Sequence, residues 1–428
     1  MTPRRTRIFA RVFLFSATTF VLLGLVACSD SGSPTGIVHQ AGYSYDPANS
    51  GNFPVPVWWQ NDEPTVLPTL KGNCSFNTGG RAEAITASGS DIYIAGFSTV
   101  CNDDGNTWAM VPAVWLNGTR TDLKHGAPQA EATSIAVANG NVYVGGGAGA
   151  GSPIPVLWTN GVEADLPMPS HADSGLVTKV VALGSDVYAS GFVHGETTHA
   201  FTPGYWKNGV YTEIPLGNSS YEVTSPVSIA VSGTAVLTGV NIYTGNPNLQ
   251  KAALWQSGPI LPLTDLNFDT APWSGVDAFL YDGTTSLAAG FITNGNLGFP
   301  APVYWKGTSP TSLSVLDNNI NGGSIGEAYG LVSDGINLYI SGYTSQHADS
   351  NTVVAVPCYW VNGQRHDRKA IASSSSYDSV AVPTKSPVGW TGFPTELDFG
   401  NNQRISGSLL FTQTVANSGA AKGIVIVH

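Results

Sequence analysis

Four acidic side chains stand at a recurring place in this chain. Glu83, Glu131, Asp277 and Glu327 each lie just before an apolar segment that opens a repeated unit. Two carboxylates held roughly 5–10 Å apart across a cleft can work as an acid and base pair on a glycosidic bond. The same four residues also read as solubilising charge at strand starts, and the sequence favours that plainer reading. A second candidate is Asp317-Asn-Asn319-Ile-Asn321-Gly322, which fits the start of a calcium loop. Alternating side-chain oxygens can wrap Ca2+, and the glycine permits the sharp turn. The acid that should close such a loop falls at Ala328, with Glu327 one residue early. The preceding unit carries Asp265-Leu-Asn267-Phe-Asp269 in the same place, with Asp277 beyond. Turns rich in Asn and Asp also form without metal, so calcium and an ordinary turn stay open.

The histidines offer less. His171 and Asp173, then His194, Glu196 and His199, then His347 and Asp349 all read as solvated loop residues. Ser-x-x-Lys and His-Glu-x-x-His do not occur, so those two hydrolase signatures are missing. Trp108, Tyr221 and Trp273 fall in loop-like segments and could anchor a ligand through their rings.

The elements that must carry these residues follow from a repeat. A tryptophan recurs in one setting: Pro56-Val-Trp-Trp59, Pro112-Ala-Val-Trp115-Leu-Asn-Gly, Pro155-Val-Leu-Trp158-Thr-Asn-Gly and Pro203-Gly-Tyr-Trp206-Lys-Asn-Gly. The series continues with Trp255, Trp305 and Trp360, at intervals of 43 to 56 residues. Asn-Gly between apolar runs is a strong hairpin signal, because both central residues of a type I′ turn need positive φ. A second hairpin lies between successive tryptophans, as in Ser134-Ile-Ala-Val-Ala-Asn-Gly-Asn-Val-Tyr-Val144. Each unit therefore holds four short strands, here named A to D, with the tryptophan on C. Four antiparallel strands per unit of this length predict an all-β chain folded as a β-propeller of seven blades, with eight as the alternative. A tryptophan at one strand position in seven units reads as packing between blades, and Cys358 beside Trp360 reads as a small buried apolar residue. The chain opens in mid-unit at Val38 and ends with A- and B-like segments near 379–392 and a divergent tail. One blade shared by the two ends would remove the free sheet edges.

The Tyr-Trp-x-Asn-Gly units with Val-Tyr-Val-Gly hairpins resemble the repeats of bacterial extracellular propellers over residues 37–395. His199-Ala-Phe201 before Trp206 is similar to the repeat family named after that tripeptide. The resemblance implies a propeller outside the cytoplasm and no particular activity. Residues 1–27 read as a signal peptide, with Arg4, Arg5, Arg7 and Arg11 before an apolar core. Leu25-Val-Ala-Cys28 resembles the lipobox of bacterial lipoproteins, which implies acylation of Cys28 and anchoring in the cell envelope, at the outer membrane of a Gram-negative host. An ordinary signal peptide with an incidental Cys28 is the alternative. Residues 28–36 read as a flexible tether and 37–428 as one propeller domain. Without the four arginines of the leader, 14 bases stand against 29 acids. No basic cluster remains to neutralise phosphates, which excludes nucleic acid as a partner.

Strand order puts the tight A–B and C–D turns on one face and the longer B–C and D–A loops on the other. Cys74 and Cys101 fall in two long loops of one blade, where a disulfide would join them; two separate thiols are the alternative. These features suggest a non-catalytic binding or scaffold module for a glycan or an envelope protein, using the long-loop face. The other reading is an extracellular carbohydrate-active enzyme with carboxylates at the channel mouth.

Overall fold

The computed structural model describes residues 36–45, 54–70, 79–101, 108–195, 201–216, 221–244, 250–256, 261–262, 273–281, 283–293, 300–316, 325–349, 352–368 and 419–427. These residues form seven four-stranded antiparallel sheets. Blade 1 begins with β1 (Ile37–Tyr45), β2 (Pro54–Gln60) and β3 (Glu63–Val66). Blade 2 holds β4 (Gly80–Ser88), β5 (Asp91–Cys101), β6 (Trp108–Leu116) and β7 (Thr119–Asp122). Blade 3 holds β8 (Ala130–Ala138), β9 (Asn141–Ala148), β10 (Ile154–Thr159) and β11 (Val162–Asp165). Blade 4 is β12 (Ala172–Leu183), β13 (Asp186–Gly195), β14 (Phe201–Lys207) and β15 (Val210–Glu213). Blade 5 is β16 (Tyr221–Ser232), β17 (Ala235–Thr244), β18 (Gln250–Gln256) and β19 (Leu261–Pro262). Blade 6 is β20 (Ser274–Tyr281), β21 (Ser286–Thr293), β22 (Pro300–Lys306) and β23 (Ser309–Ser312). Blade 7 is β24 (Gly326–Ser333), β25 (Leu338–Asp349), β26 (Thr352–Val361) and β27 (Gln364–Asp367).

The last strand, β28 (Gly419–Val427), pairs antiparallel with β1 and supplies the missing first strand of blade 1. Contacts between first strands run β28–β4–β8–β12–β16–β20–β24 and back to β28, so the sheets close into a ring. The fold is a seven-bladed β-propeller. The shared blade is the one that the sequence suggests, but the strand that completes it comes from the divergent tail. The segment near 379–392 lies outside the described residues.

Each blade is built by the turn chemistry of the repeat. Asn117, Asn160, Asn208 and Asn362 lie at φ of 48–51°, and the glycines after them at 81–85°. Their side chains do a second job that a turn signal does not reveal. The Oδ1 atoms of Asn117, Asn160, Asn208 and Asn362 accept from the backbone N–H of Ile92, Val142, Val187 and Leu338 at 2.8–2.9 Å, tying each C–D turn to the B strand beside it.

The core lies between blades. All seven repeated tryptophans are at most 5% exposed. The indole N–H of Trp115 donates to the carbonyl of Pro68, Trp158 to Lys124, Trp206 to Pro167 and Trp360 to Ser314, at 2.6–2.9 Å. Each bond reaches the blade before, next to a buried leucine or isoleucine: Leu67, Leu123, Leu166 and Leu313. A buried tryptophan of roughly 200 Å2 is worth about 5 kcal/mol before entropy, so this joint dominates the packing of one blade on the next. Cys358 is a free, fully buried thiol within that core, as its place in the repeat implies.

Candidate functional site at the channel

The seven first strands share an irregularity. In every blade one residue of the first strand is left out of register with the second strand, at the same place in the repeat. These bulged residues are Lys422, Glu83, Thr133, Thr178, Val227, Asp277 and Tyr329, for blades 1 to 7. A bulge bends the strand and re-aims the side chain that it carries. Two residues earlier, nearer the long loops, stand Arg81, Glu131, Leu176, Gly275 and Glu327 in blades 2, 3, 4, 6 and 7. The acids expected just before the first strands are therefore inside them.

The bulge explains a glycine that the repeat carries on its second strand. A Cβ on Gly96, Gly146, Gly191, Gly290 or Gly342 would lie 1.9–2.0 Å from the carbonyl oxygen of Arg81, Glu131, Leu176, Gly275 or Glu327. This glycine, which in blade 3 is Gly146, one residue beyond Val142-Tyr-Val-Gly145, is thus the sequence signature of the bulge opposite it.

Charged and aromatic groups gather on one side of the ring, in blades 6, 7, 1, 2 and 3. The hydroxyl of Tyr329 donates to Oε2 of Glu327. The Tyr329 ring stacks on Tyr343 with centroids 5.9 Å apart. Lys422 Nζ lies 3.5 Å from the centre of the Tyr329 ring, and the Arg81 guanidinium lies 4.4 Å from that of Tyr43. These contacts join blade 7 to blade 1 and blade 1 to blade 2.

The electrostatics follow from this crowding. Burial and the nearby Glu327 carboxylate raise the Asp277 carboxyl well above its usual range, against the pull of Lys422. Burial also raises Glu327, opposed by the Tyr329 hydroxyl and Lys422. In blade 3, burial and the charge of Glu83 push Glu131 up to about 7, with Arg81 pulling the other way. Burial and Glu327 raise the Tyr329 phenol, so it stays protonated and serves as a hydrogen-bond donor. Oδ2 of Asp277 is shielded from solvent with no hydrogen-bond partner among the described residues. Across the ring, blade 4 offers Thr178, whose hydroxyl bonds the Ser190 carbonyl at 3.2 Å, and Lys179, whose pKa burial lowers.

The structure puts Glu83 and Glu327 on the first strands of blades 2 and 7, the two blades that flank Lys422, Glu83 at the bulge and Glu327 two residues before it. Glu327 was also the acid expected to close the Asp317 loop. Asp317, Asn319 and Asn321 lie outside the described residues, and among the described residues no group of three His, Cys, Asp or Glu side chains could hold a metal. Trp273 immediately precedes β20, half-buried, its carbonyl accepting from the Thr293 N–H at 2.8 Å. Trp108 opens β6 opposite Cys101, and Tyr221 opens β16 opposite Thr244. The three aromatics thus sit at long-loop ends of strands, but in blades 6, 2 and 5. Cys101 ends β5, while Cys74 and Cys28 lie outside the described residues. His194, expected in a solvated loop, is buried in β13 with Nδ1 3.0 Å from Asp173 Oδ1 on β12. Sequence reasoning missed Tyr329, Lys422, Arg81, Tyr43 and Tyr343. The second-strand glycine, read as the mark of a bulge, would have located the first two rings of positions in most blades.

No protein-family profile matches the chain, and no curated protein matches it. Several solved structures resemble it. The β-propeller domain of the Trilobed protease from Pyrococcus furiosus matches with a TM-score of 0.44 at 11% identity, over 79% of this chain and 94% of that one. A subtype N11 neuraminidase-like protein of A/flat-faced bat/Peru (H18N11) matches with a TM-score of 0.44 at 13% identity, over 70% and 96% of the two chains. The native Bacillus subtilis arabinanase Arb43A matches with a TM-score of 0.30 at 12% identity, over 52% and 92%. The assignment of a propeller stands on the strand order and ring closure of this chain itself.

Proposed function

We propose that this protein is a binding module, anchored to the cell envelope through a lipid on Cys28, that takes a glycan at the long-loop mouth of its channel. The observation that carries this reading is the asymmetry of the bulged ring. Blades 6, 7, 1 and 2 present Asp277, Tyr329, Lys422 and Glu83, whereas blades 3 and 4 present Thr133 and Thr178. Packing alone does not require costly charged groups on one side of an otherwise regular ring. Carboxyl groups, phenols and tyrosine faces together suit the hydroxyls and the apolar face of a sugar. Trp273, Trp108 and Tyr221, at the long-loop ends of their blades, would then contact a longer chain.

The test is a glycan array probed with the full mature chain. Retained glycans should lose at least tenfold in affinity with Tyr329→Phe or Glu83→Gln and be unaffected by Thr178→Val on the far side of the ring. An array that retains nothing sinks the proposal, and an envelope protein then becomes the partner to seek. Hydrolysis of a bound glycan that is abolished by Glu327→Gln would replace binding by catalysis. Mass spectrometry of the native N-terminus tests the anchor: a mature chain that begins at an unmodified residue refutes it.

A further inference from the structure

Lys422 sits apart from every repeat, in the tail of the chain, yet it occupies the bulged position of blade 1. Its ammonium lies over Tyr329 of β24. Asp277 on β20, Glu327 on β24 and Glu83 on β4 all act on it electrostatically, as does the cation of Arg81. The other strands against β28 carry His39, Tyr43 and Tyr45 on β1, Tyr339, Tyr343, His347 and Asp349 on β25 and Cys358 and Tyr359 on β26; the one further acid among them, Asp349, is the last residue of its strand. β28 also fits closely between its neighbours. A Cβ on Gly423 would lie 2.9 Å from the Ile85 side chain of blade 2, and one on Gly330 of blade 7 would lie 3.2 Å from the Gly423 Cα. Without β28 blade 1 has no first strand between β24 and β4, and Lys422, the cation on that strand, is missing from between their acids.

We infer that Lys422 is the positioning residue of the channel site: it supplies the positive charge around which Glu83, Asp277 and Glu327 are arranged, so that ring closure and assembly of the site are one event. The inference rests on reading the channel mouth as a ligand site, but its test needs no ligand.

Urea unfolding of the full mature chain is followed from pH 5 to pH 8 for wild type, Lys422→Met, which keeps the aliphatic stem, and Lys422→Arg, which keeps the charge. A carboxyl held above its ordinary pKa costs the folded state more as pH rises, and removing the cation enlarges that cost. Lys422→Met should therefore separate from wild type with rising pH, its unfolding constant growing at least tenfold relative to wild type between pH 5 and 8. Lys422→Arg should follow wild type. Adding Asp277→Asn to Lys422→Met should shrink the gap. A Lys422→Met defect of equal size at every pH would mean that the stem only packs, and would overturn the inference. If Lys422→Met does not fold, the double variant must, and failure of both also overturns it. A growing gap in a protein that retains no glycan keeps this inference and removes the binding reading. A constant gap with glycan binding intact does the reverse.

Discussion

Arg368 of blade 7 reaches Asp62 of blade 1, with Nη1 3.1 Å from Oδ1, across the joint that closes the ring. Leu67, Leu123, Leu166, Ile214 and Leu313 occupy the corresponding place in blades 1, 2, 3, 4 and 6, each donating its N–H to the repeat's proline carbonyl, as Arg368 does to Pro357. The guanidinium is almost wholly buried, lies over the Tyr359 ring and donates to Oε1 of Gln40, which in turn donates to the Cys358 carbonyl at 3.2 Å. Gln40 pairs with Trp59 where Ile94, Val144 and Ile340 pair with their own tryptophans. The joint between blades 7 and 1 is therefore polar where the joints at Trp115, Trp158 and Trp360 are apolar.

Removing one partner from such a seam leaves a buried group unsatisfied, whereas replacing the whole seam by apolar side chains costs little or stabilises. Arg368→Leu alone should lower stability by about 2–3 kcal/mol. Arg368→Leu with Gln40→Ile, which copies the other blades, should recover most of that loss. Denaturant unfolding measures both, and additive losses would show that the two residues do not act as a unit.

The glycine opposite the bulge in blades 2, 3, 4, 6 and 7 predicts a steric result. Gly342→Ala places a Cβ about 2.0 Å from the Glu327 carbonyl oxygen. The strand must shift, at about 2–4 kcal/mol, and any ligand held near Glu327 should be lost with it. Gly126→Ala, with nothing within 4 Å, is the control and should be silent in the same thermal melts.

Glu131 predicts a pH effect of known sign. Its carboxyl titrates near 7 in the folded chain against an ordinary value of 4.5. The folded state thus holds a proton that the unfolded state releases, and stability from this group is full below about 4.5 and is lost as pH rises through 7. Glu131→Gln should flatten that fall by about 1–2 kcal/mol, allowing for solvent in the channel. Parallel stability curves for the two proteins between pH 4.5 and 8 would contradict the assignment.

The cysteines separate by environment. The Cys74–Cys101 disulfide proposed from loop placement should appear as a linked peptide in non-reducing digests, and vanish with reductant. Burial pushes the Cys358 thiol up to about 12, so it should react with thiol reagents only after unfolding. A digest with Cys74 and Cys101 separately alkylated would exclude the pair.

Local signals made the architecture legible. Asn-Gly needs positive φ at both residues, and a tryptophan at a fixed strand position needs a partner blade to cover it, so strands, turns and the core followed from spacing alone. Glu83 and Glu327 were visible as candidates because they precede apolar segments of the same kind. Tyr329 was not, because a bulge shifts the strand by one residue and turns to the channel a side chain that strict alternation assigns elsewhere. Lys422 and Arg368 were hidden for another reason. Each acquires its role from partners far away in the chain, Glu83 and Asp277 for the one and Gln40 and Asp62 for the other, and only closure of the ring makes them neighbours. Sequence periodicity determined what each blade is. The meeting of first and last strands decided where charge is concentrated, because that joint alone is built from segments outside the regular repeat.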